Sequence, residues 1–252
     1  MATVIEQVRT ARSEERFFLI LAWVMALTIV GGFSLNLVLG RSTFAVPAIF
    51  HIHAFVFFGW VALYLAQNTL VASGNIALHR RLGWIAVGWI PLMVTFGIAM
   101  TVVSLRRIGG PPFFDMREFA IGNPIALLGF AGLAGTAIIM RRRTDWHRRL
   151  MLCAMAGLTG PGLGRLLPMP LLIPFAWWIA NLATLIFPII AVVADRRRHG
   201  RVHPALLWGI GVLLGALLLG ETIAYTPAGL ALTEWMVSGS PGSLRPVAAH
   251  FP

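Results

Sequence analysis

The chain has 252 residues, 58% of them hydrophobic and 12% charged, and it carries a net charge of +11. Soluble domains carry about 25% charged residues, so this composition leaves no room for one of ordinary make-up. The excess charge does not read as a nucleic-acid surface, because every basic residue is Arg and the arginines gather at the ends of apolar runs.

Seven runs free of formal charge fill most of the chain: 17–40, 42–78, 82–105, 119–140, 150–164, 171–194 and 204–220. A helix needs roughly 20 mostly apolar residues to cross a bilayer. Five runs meet that length, and 150–164 and 204–220 reach it when a flanking charged residue sits at the interface. The expected fold is all-α, a polytopic transmembrane bundle of seven helices. With the N-terminus in the cytoplasm, 14 Arg fall on the inner side, within 9–16, 80–81, 141–149 and 196–201. The outer side then holds 6: Arg41, Arg106, Arg107, Arg117, Arg165 and Arg245. That asymmetry follows the positive-inside rule and predicts a multi-pass protein of the bacterial inner membrane. Contact with anionic lipid of the bilayer accounts for the charge without nucleic acid. The expected organisation is a cytoplasmic extension over 1–16, a membrane domain over 17–224 and an outer tail over 225–252. The tail's end, from Ser238, is rich in Gly, Pro and Ser and reads as poorly ordered. The lone cysteine, Cys153, excludes an internal disulfide and a Cys-cluster metal site.

The second helix carries a polar and aromatic stripe. Positions i, i+7, i+11 and i+14 share a helix face, and His53, Trp60, Tyr64 and Gln67 have that spacing. Asn68 adjoins the stripe and Asn75 continues it inward. Such groups must face the bundle or a wet cavity, since unsatisfied polar groups in lipid are costly. His51 lies about 200° round the helix from His53, so the two do not share one ion from a regular helix. His53 is therefore the candidate ligand for a metal or for haem iron, because ionisable residues within spans mark functional sites and imidazole is a common axial ligand. The competing expectation is a hydrogen bond between helices, which Gln67 and Asn68 also make. A dihaem cytochrome places two His on each ligating helix; here a second His at that depth is missing, and Met100 is the alternative partner.

The third and fifth helices open on similar segments, LHRRL at 78–82 and WHRRL at 146–150. Both follow an out-to-in helix, so helices two and three look like a hairpin repeated as helices four and five. His79 and His147 are the repeat's equivalent histidines. Facing each other, ligating one group, and binding an anionic headgroup with Arg80, Arg81, Arg148 and Arg149 are all open to them. The plain alternative is an interfacial basic cluster, and flanking Arg disfavours a cation. His199 and His203 lie in an Arg-dense loop and read as solvated surface.

Gly157, Gly160, Gly162 and Gly164 crowd the fifth helix together with Pro161. Proline removes a backbone donor, so a kink is expected between Gly157 and Gly164. A broken helix of this kind lines binding sites in transporters, whereas glycine alone permits close packing. Glu221 is placed to pair with Arg165 or His53, and Trp177 and Trp178 fit an interfacial aromatic belt.

On LHRRLGW at 78–84, WHRRLM at 146–151 and GRLLPMP at 164–170, the chain resembles a bacterial family of multi-pass membrane proteins of unassigned reaction. Its members carry an intramembrane His, an HRxLG motif, and an HRRxM motif followed by Arg-Leu-x-x-Pro. The resemblance covers roughly the middle half of the chain. It implicates His53 or His51, His79, Arg80, Gly83, His147, Arg148, Met151 and Arg165. The chain departs from the pattern at Cys153, where a second basic residue is expected, and at Trp84, where a tyrosine is usual. The family is loosely cytochrome-like and similar in fold to oxidase-assembly proteins, a likeness that does not assign chemistry.

Three functions are therefore expected in order. The first is a buried His-centred site holding haem or a metal, in a redox or oxidase-assembly role beside a respiratory complex or another membrane protein. Its candidate residues are His53, Tyr64, Gln67, His79, Arg80, His147, Arg148 and Arg165, with His53 as the metal ligand. The second is a cofactor-free accessory subunit in which the polar stripe serves packing. The third is a small-molecule transporter using the broken fifth helix.

Overall fold

A computed structural model describes the backbone of residues 2–251 and the side chains from Ser13 onward. Every regular element among them is helical. Six segments are long and apolar enough to cross a membrane: Ser13–Val38, Ala48–Ala72, Ile76–Ile108, Glu118–Ile139, Ala176–His199 and Pro204–Ala224. The first helix, α1 (Ala2–Val38), runs unbroken from the segment read as an extension into the first crossing.

Local chemistry sets the ends of the next two. Pro47 precedes α2 (Ala48–Ala72). The Asn75 side chain accepts the Leu78 N–H at the start of α3 (Ile76–Ile108), satisfying one of the donors a helix start leaves unpaired. Gly109, at φ +73°, closes α3 in the left-handed conformation that glycine adopts without penalty. A turn of π-helix over Glu118–Gly122 leads into α4 (Asn123–Ile139).

The fifth run is broken where its sequence predicts. Helix α5 (Thr144–Gly157) stops, and α6 (Gly160–Leu166) restarts it. Pro161 has no N–H to give the Gly157 carbonyl. The Leu158 and Thr159 N–H groups instead reach back three residues, to Met155 at 3.2 Å and Ala156 at 3.0 Å. Close packing acts at the same place. A methyl added to Gly162 would lie 2.7 Å from Ile29 Cα, so α6 rests directly on the backbone of α1. The next segment is interrupted likewise, as α7 (Ala176–Ala183) and α8 (Ile186–His199), with Pro188 unable to serve the Thr184 carbonyl.

Helix α9 (Pro204–Ala224) packs against α4 and α5, while α2 packs on α3 and α3 on α4. Helix α5 is enclosed by its neighbours: Leu152, Cys153, Ala154, Met155 and Ala156 are all buried. A helix buried all round is the one whose polar residues must find partners inside the protein.

The tail is held down, contrary to its composition. Helix α10 (Pro227–Val237) packs on α3 and α9. Beyond it, Arg245 donates to the carbonyls of Gly109, Pro112 and Phe114. The Met116 N–H donates to Val247 O at 2.8 Å and the His250 N–H to Pro112 O at 3.0 Å. The Gly-Pro turn after α3 exposes carbonyls that have no helix to serve them, and the tail supplies the donors.

Candidate functional site

The two repeat-equivalent histidines meet at the Arg-rich end of the bundle. The rings of His79, on α3, and His147, on α5, have centroids 6.2 Å apart and planes at 79°. Both are half-buried. His147 Nδ1 lies 2.8 Å from the carbonyl of Ala137. Ala137 is in the last turn of α4, where carbonyls lose their helical donors. The neighbouring carbonyls of Thr136 and Ile138 are served by Met140 and Arg141, and the imidazole serves Ala137. A carbonyl only accepts, so His147 carries a proton on Nδ1, and its neutral form keeps the lone pair on Nε2.

His79 is met from α2 by Gln67, whose amide is oriented by the backbone it touches. Its oxygen accepts the Gly83 N–H at 2.9 Å, and its nitrogen faces the His79 carbonyl at 3.1 Å and His79 Nδ1 at 2.5 Å. Gln67, His79 and His147, three residues singled out in the sequence, thus form one constellation across α2, α3 and α5. The two flanking arginines do not join it. Arg80 is exposed. Arg148 pairs with Glu14 at 2.7 Å and with Asp145.

The rest of the polar stripe meets other partners. His53 is half-buried, stacks on Phe57 at 4.2 Å, and places Nδ1 3.3 Å from the Phe96 carbonyl of α3. His51 is exposed. Trp60 and Tyr64 are buried, and Asn68 donates to the Tyr64 carbonyl at 2.9 Å. Arg165 lies over the Phe33 ring at 3.8 Å and donates to the Pro161 carbonyl, while Glu221 accepts from Trp178 Nε1 at 3.0 Å. Trp177, expected at an interface, is buried against Phe114 and Gly122.

A second, ionic cluster lies below α5 and was not legible as a unit. Arg149 is 2% exposed. Its Nε and Nη2 grip Asp195 of α8 at 2.9 and 2.6 Å, and Nη2 also reaches Glu14 of α1 at 2.9 Å. A cleft of about 760 Å³ opens beside it, lined in part by Trp146, His199, Arg201 and His203. Among the described residues, Glu14, Asp195 and His199 are the group of three whose ligand atoms come within 4.8 Å of one another. That geometry does not fit a metal ion, because the Arg149 guanidinium already occupies both carboxylates. His203 Nδ1 accepts the Ala205 N–H at 3.2 Å and so caps α9 in its neutral form. Burial, and then the charge of Arg149, hold this imidazole below its ordinary value.

Comparison with family models, with characterised proteins and with solved structures gives no match for this chain.

Proposed function

We propose that this is a seven-crossing protein of the bacterial inner membrane that binds one small ligand between His79 and His147, in a redox or assembly role. The broken stretch over 144–166 supplies the seventh crossing. At about 1.5 Å per residue it is long enough for a hydrocarbon core of about 30 Å. The N-terminus lies in the cytoplasm and the His pair in the inner leaflet, in keeping with the uneven Arg count.

One observation carries the site: the rings of equivalent histidines of two hairpins lie edge to face with centroids 6.2 Å apart, each with Nδ1 held by the helix before it. Metal-binding and ligand-binding imidazoles are oriented in this way, the second nitrogen being fixed so that the first is free to act. His53 has a different role. Its hydrogen bond to Phe96 ties α2 to α3, which is the packing function its stripe also allows.

The test is to purify the protein in detergent and identify what it holds, by optical spectrum for haem, elemental analysis for metal, and organic extraction with mass spectrometry. Wild-type protein is expected to retain one small molecule per chain, and a correctly inserted His147→Ala variant to lose it. Wild-type protein with nothing bound, or a variant that keeps the ligand, overturns the proposal.

A further inference from the structure

Resting on that reading of the His79–His147 pair, we infer that Gln67 and the Ala137 carbonyl hold His79 and His147 in opposite tautomers, so that the site takes a neutral hydroxyl-bearing molecule of the membrane rather than a metal ion. The inference starts from two backbone groups whose chemistry has no alternative. The Gly83 N–H can only donate, and it lies 2.9 Å from one end of the Gln67 amide. The His79 carbonyl can only accept, and it lies 3.1 Å from the other end. Together they place the amide oxygen toward Gly83 and the NH₂ toward His79. Amide orientation is assigned in this way from its neighbours.

The same NH₂ then faces His79 Nδ1 at 2.5 Å. An NH₂ group has no acceptor capacity, so Nδ1 must offer a lone pair. A neutral His79 therefore carries its proton on Nε2. His147 is the reverse, with its proton on Nδ1 toward the Ala137 carbonyl at 2.8 Å and the lone pair on Nε2. The pair presents one donor and one acceptor, although the two residues occupy equivalent places in the repeat.

Distance decides what fits between them. A direct N–H···N bond of about 2.9 Å would bring the ring centroids to roughly 5 Å. The observed 6.2 Å is longer. One oxygen atom hydrogen-bonded to both nitrogens separates the centroids by roughly 6–8 Å, depending on its angle. Two nitrogens bonded to one ion at about 2.0–2.1 Å would give roughly 5–6.5 Å, so distance alone admits an ion as well. The tautomers do not. An ion needs lone pairs on both Nε2 atoms, which would require the Gln67 amide to turn over. That turn sets NH₂ against N–H at Gly83 and oxygen against oxygen at His79. A hydroxyl meets both requirements at once: it accepts from His79 Nε2–H and donates to His147 Nε2. Quinols and glycerol headgroups share this chemistry, and both are dissolved in the membrane where the pair lies.

The test reads the tautomers directly. Nitrogen-15 NMR of histidine-labelled protein in phosphatidylcholine nanodiscs is expected to show His79 protonated on Nε2 and His147 on Nδ1. The same tautomer at both residues overturns the inference, whatever ligand is later found. Adding ubiquinol, or replacing phosphatidylcholine by phosphatidylglycerol, then distinguishes the two sources. A shift of the His147 Nε2 resonance with ubiquinol alone assigns a quinol, and with phosphatidylglycerol alone a headgroup. A shift with neither leaves only water between the rings and overturns the ligand class. Gln67→Leu is the complementary variant, since without the NH₂ group His79 is free to carry its proton on Nδ1 and to offer the lone pair of Nε2. Titrated with Zn²⁺, it is expected to bind at least tenfold tighter than wild type, and to lose that gain when His147→Ala is added. Equal zinc binding by wild type and Gln67→Leu contradicts the tautomer assignment. A metal found on the wild-type pair would sink this inference while leaving the ligand site itself standing; a pair with no ligand of any kind sinks both.

Discussion

Arg149 and Asp195 form a two-pronged pair across 46 positions of sequence, Nε to Oδ2 at 2.9 Å and Nη2 to Oδ1 at 2.6 Å. The pair joins α5 to α8, and the same guanidinium reaches Glu14 on α1. Removing one partner of a buried ion pair strands the other and costs about 3–5 kcal/mol, whereas replacing both by apolar residues costs far less. Arg149→Met and Asp195→Leu are each expected to lower the melting temperature in detergent sharply. The double variant should melt above either single variant. Additive losses would show that the charges are not coupled.

His203 gives the protein a local pH dependence. Its neutral Nδ1 caps α9, and its pKa in the folded state lies below the ordinary 6.5. As pH falls from above 6.5, the unfolded chain takes up the proton first. The contribution to stability is therefore full above about pH 6.5 and is lost as pH drops toward the folded pKa. His203→Asn keeps a capping side chain without the titration. It should melt as wild type does at pH 8 and more stably than wild type near pH 5.5; parallel pH profiles for the two proteins would contradict the role given to His203. His203→Ala should cost about 1 kcal/mol at pH 8, the usual value of a cap.

The contact between α1 and α6 separates two glycines of the same helix. A side chain at Gly162 meets the backbone of Ile29, while Gly164 faces open space. Gly162→Leu is expected to destabilise by about 1–3 kcal/mol or more through overpacking, and Gly164→Leu to be tolerated. A thermal-shift comparison decides it, and equal effects would refute the assignment.

Topology is open to reporter fusions. With the N-terminus in the cytoplasm and seven crossings, a reporter after Arg143 reads as cytoplasmic and one after Gly110 as periplasmic. The opposite result at either turn would overturn the orientation drawn from the Arg count.

Local signals in the sequence translated well into structure. The break at 158–159 follows from Pro161, and the apolar lengths mark the six segments able to cross a membrane. The HRRL repeat located His79 and His147, but spacing could not say that their rings meet, because that depends on how two hairpins pack. The stripe on α2 has the spacing of one site. It divides, since Gln67 turns to His79 while His53 turns to Phe96. The Glu14–Arg149–Asp195 cluster was illegible because its members are 135 and 46 positions apart. Three carboxylates at the Arg-rich ends, Glu14, Asp145 and Asp195, were the available hint. The tail misled because composition reports its backbone freedom and not the unpaired carbonyls after α3 that bind Arg245.

The central claim is that a ligand sits between His79 and His147 and not at His53. Its most direct measurement is the amount of small molecule co-purifying with three correctly inserted variants, His53→Ala, His79→Ala and His147→Ala. Retention in His53→Ala with loss in both others is the predicted result. Loss in His53→Ala alone, with full retention in the other two, would contradict it.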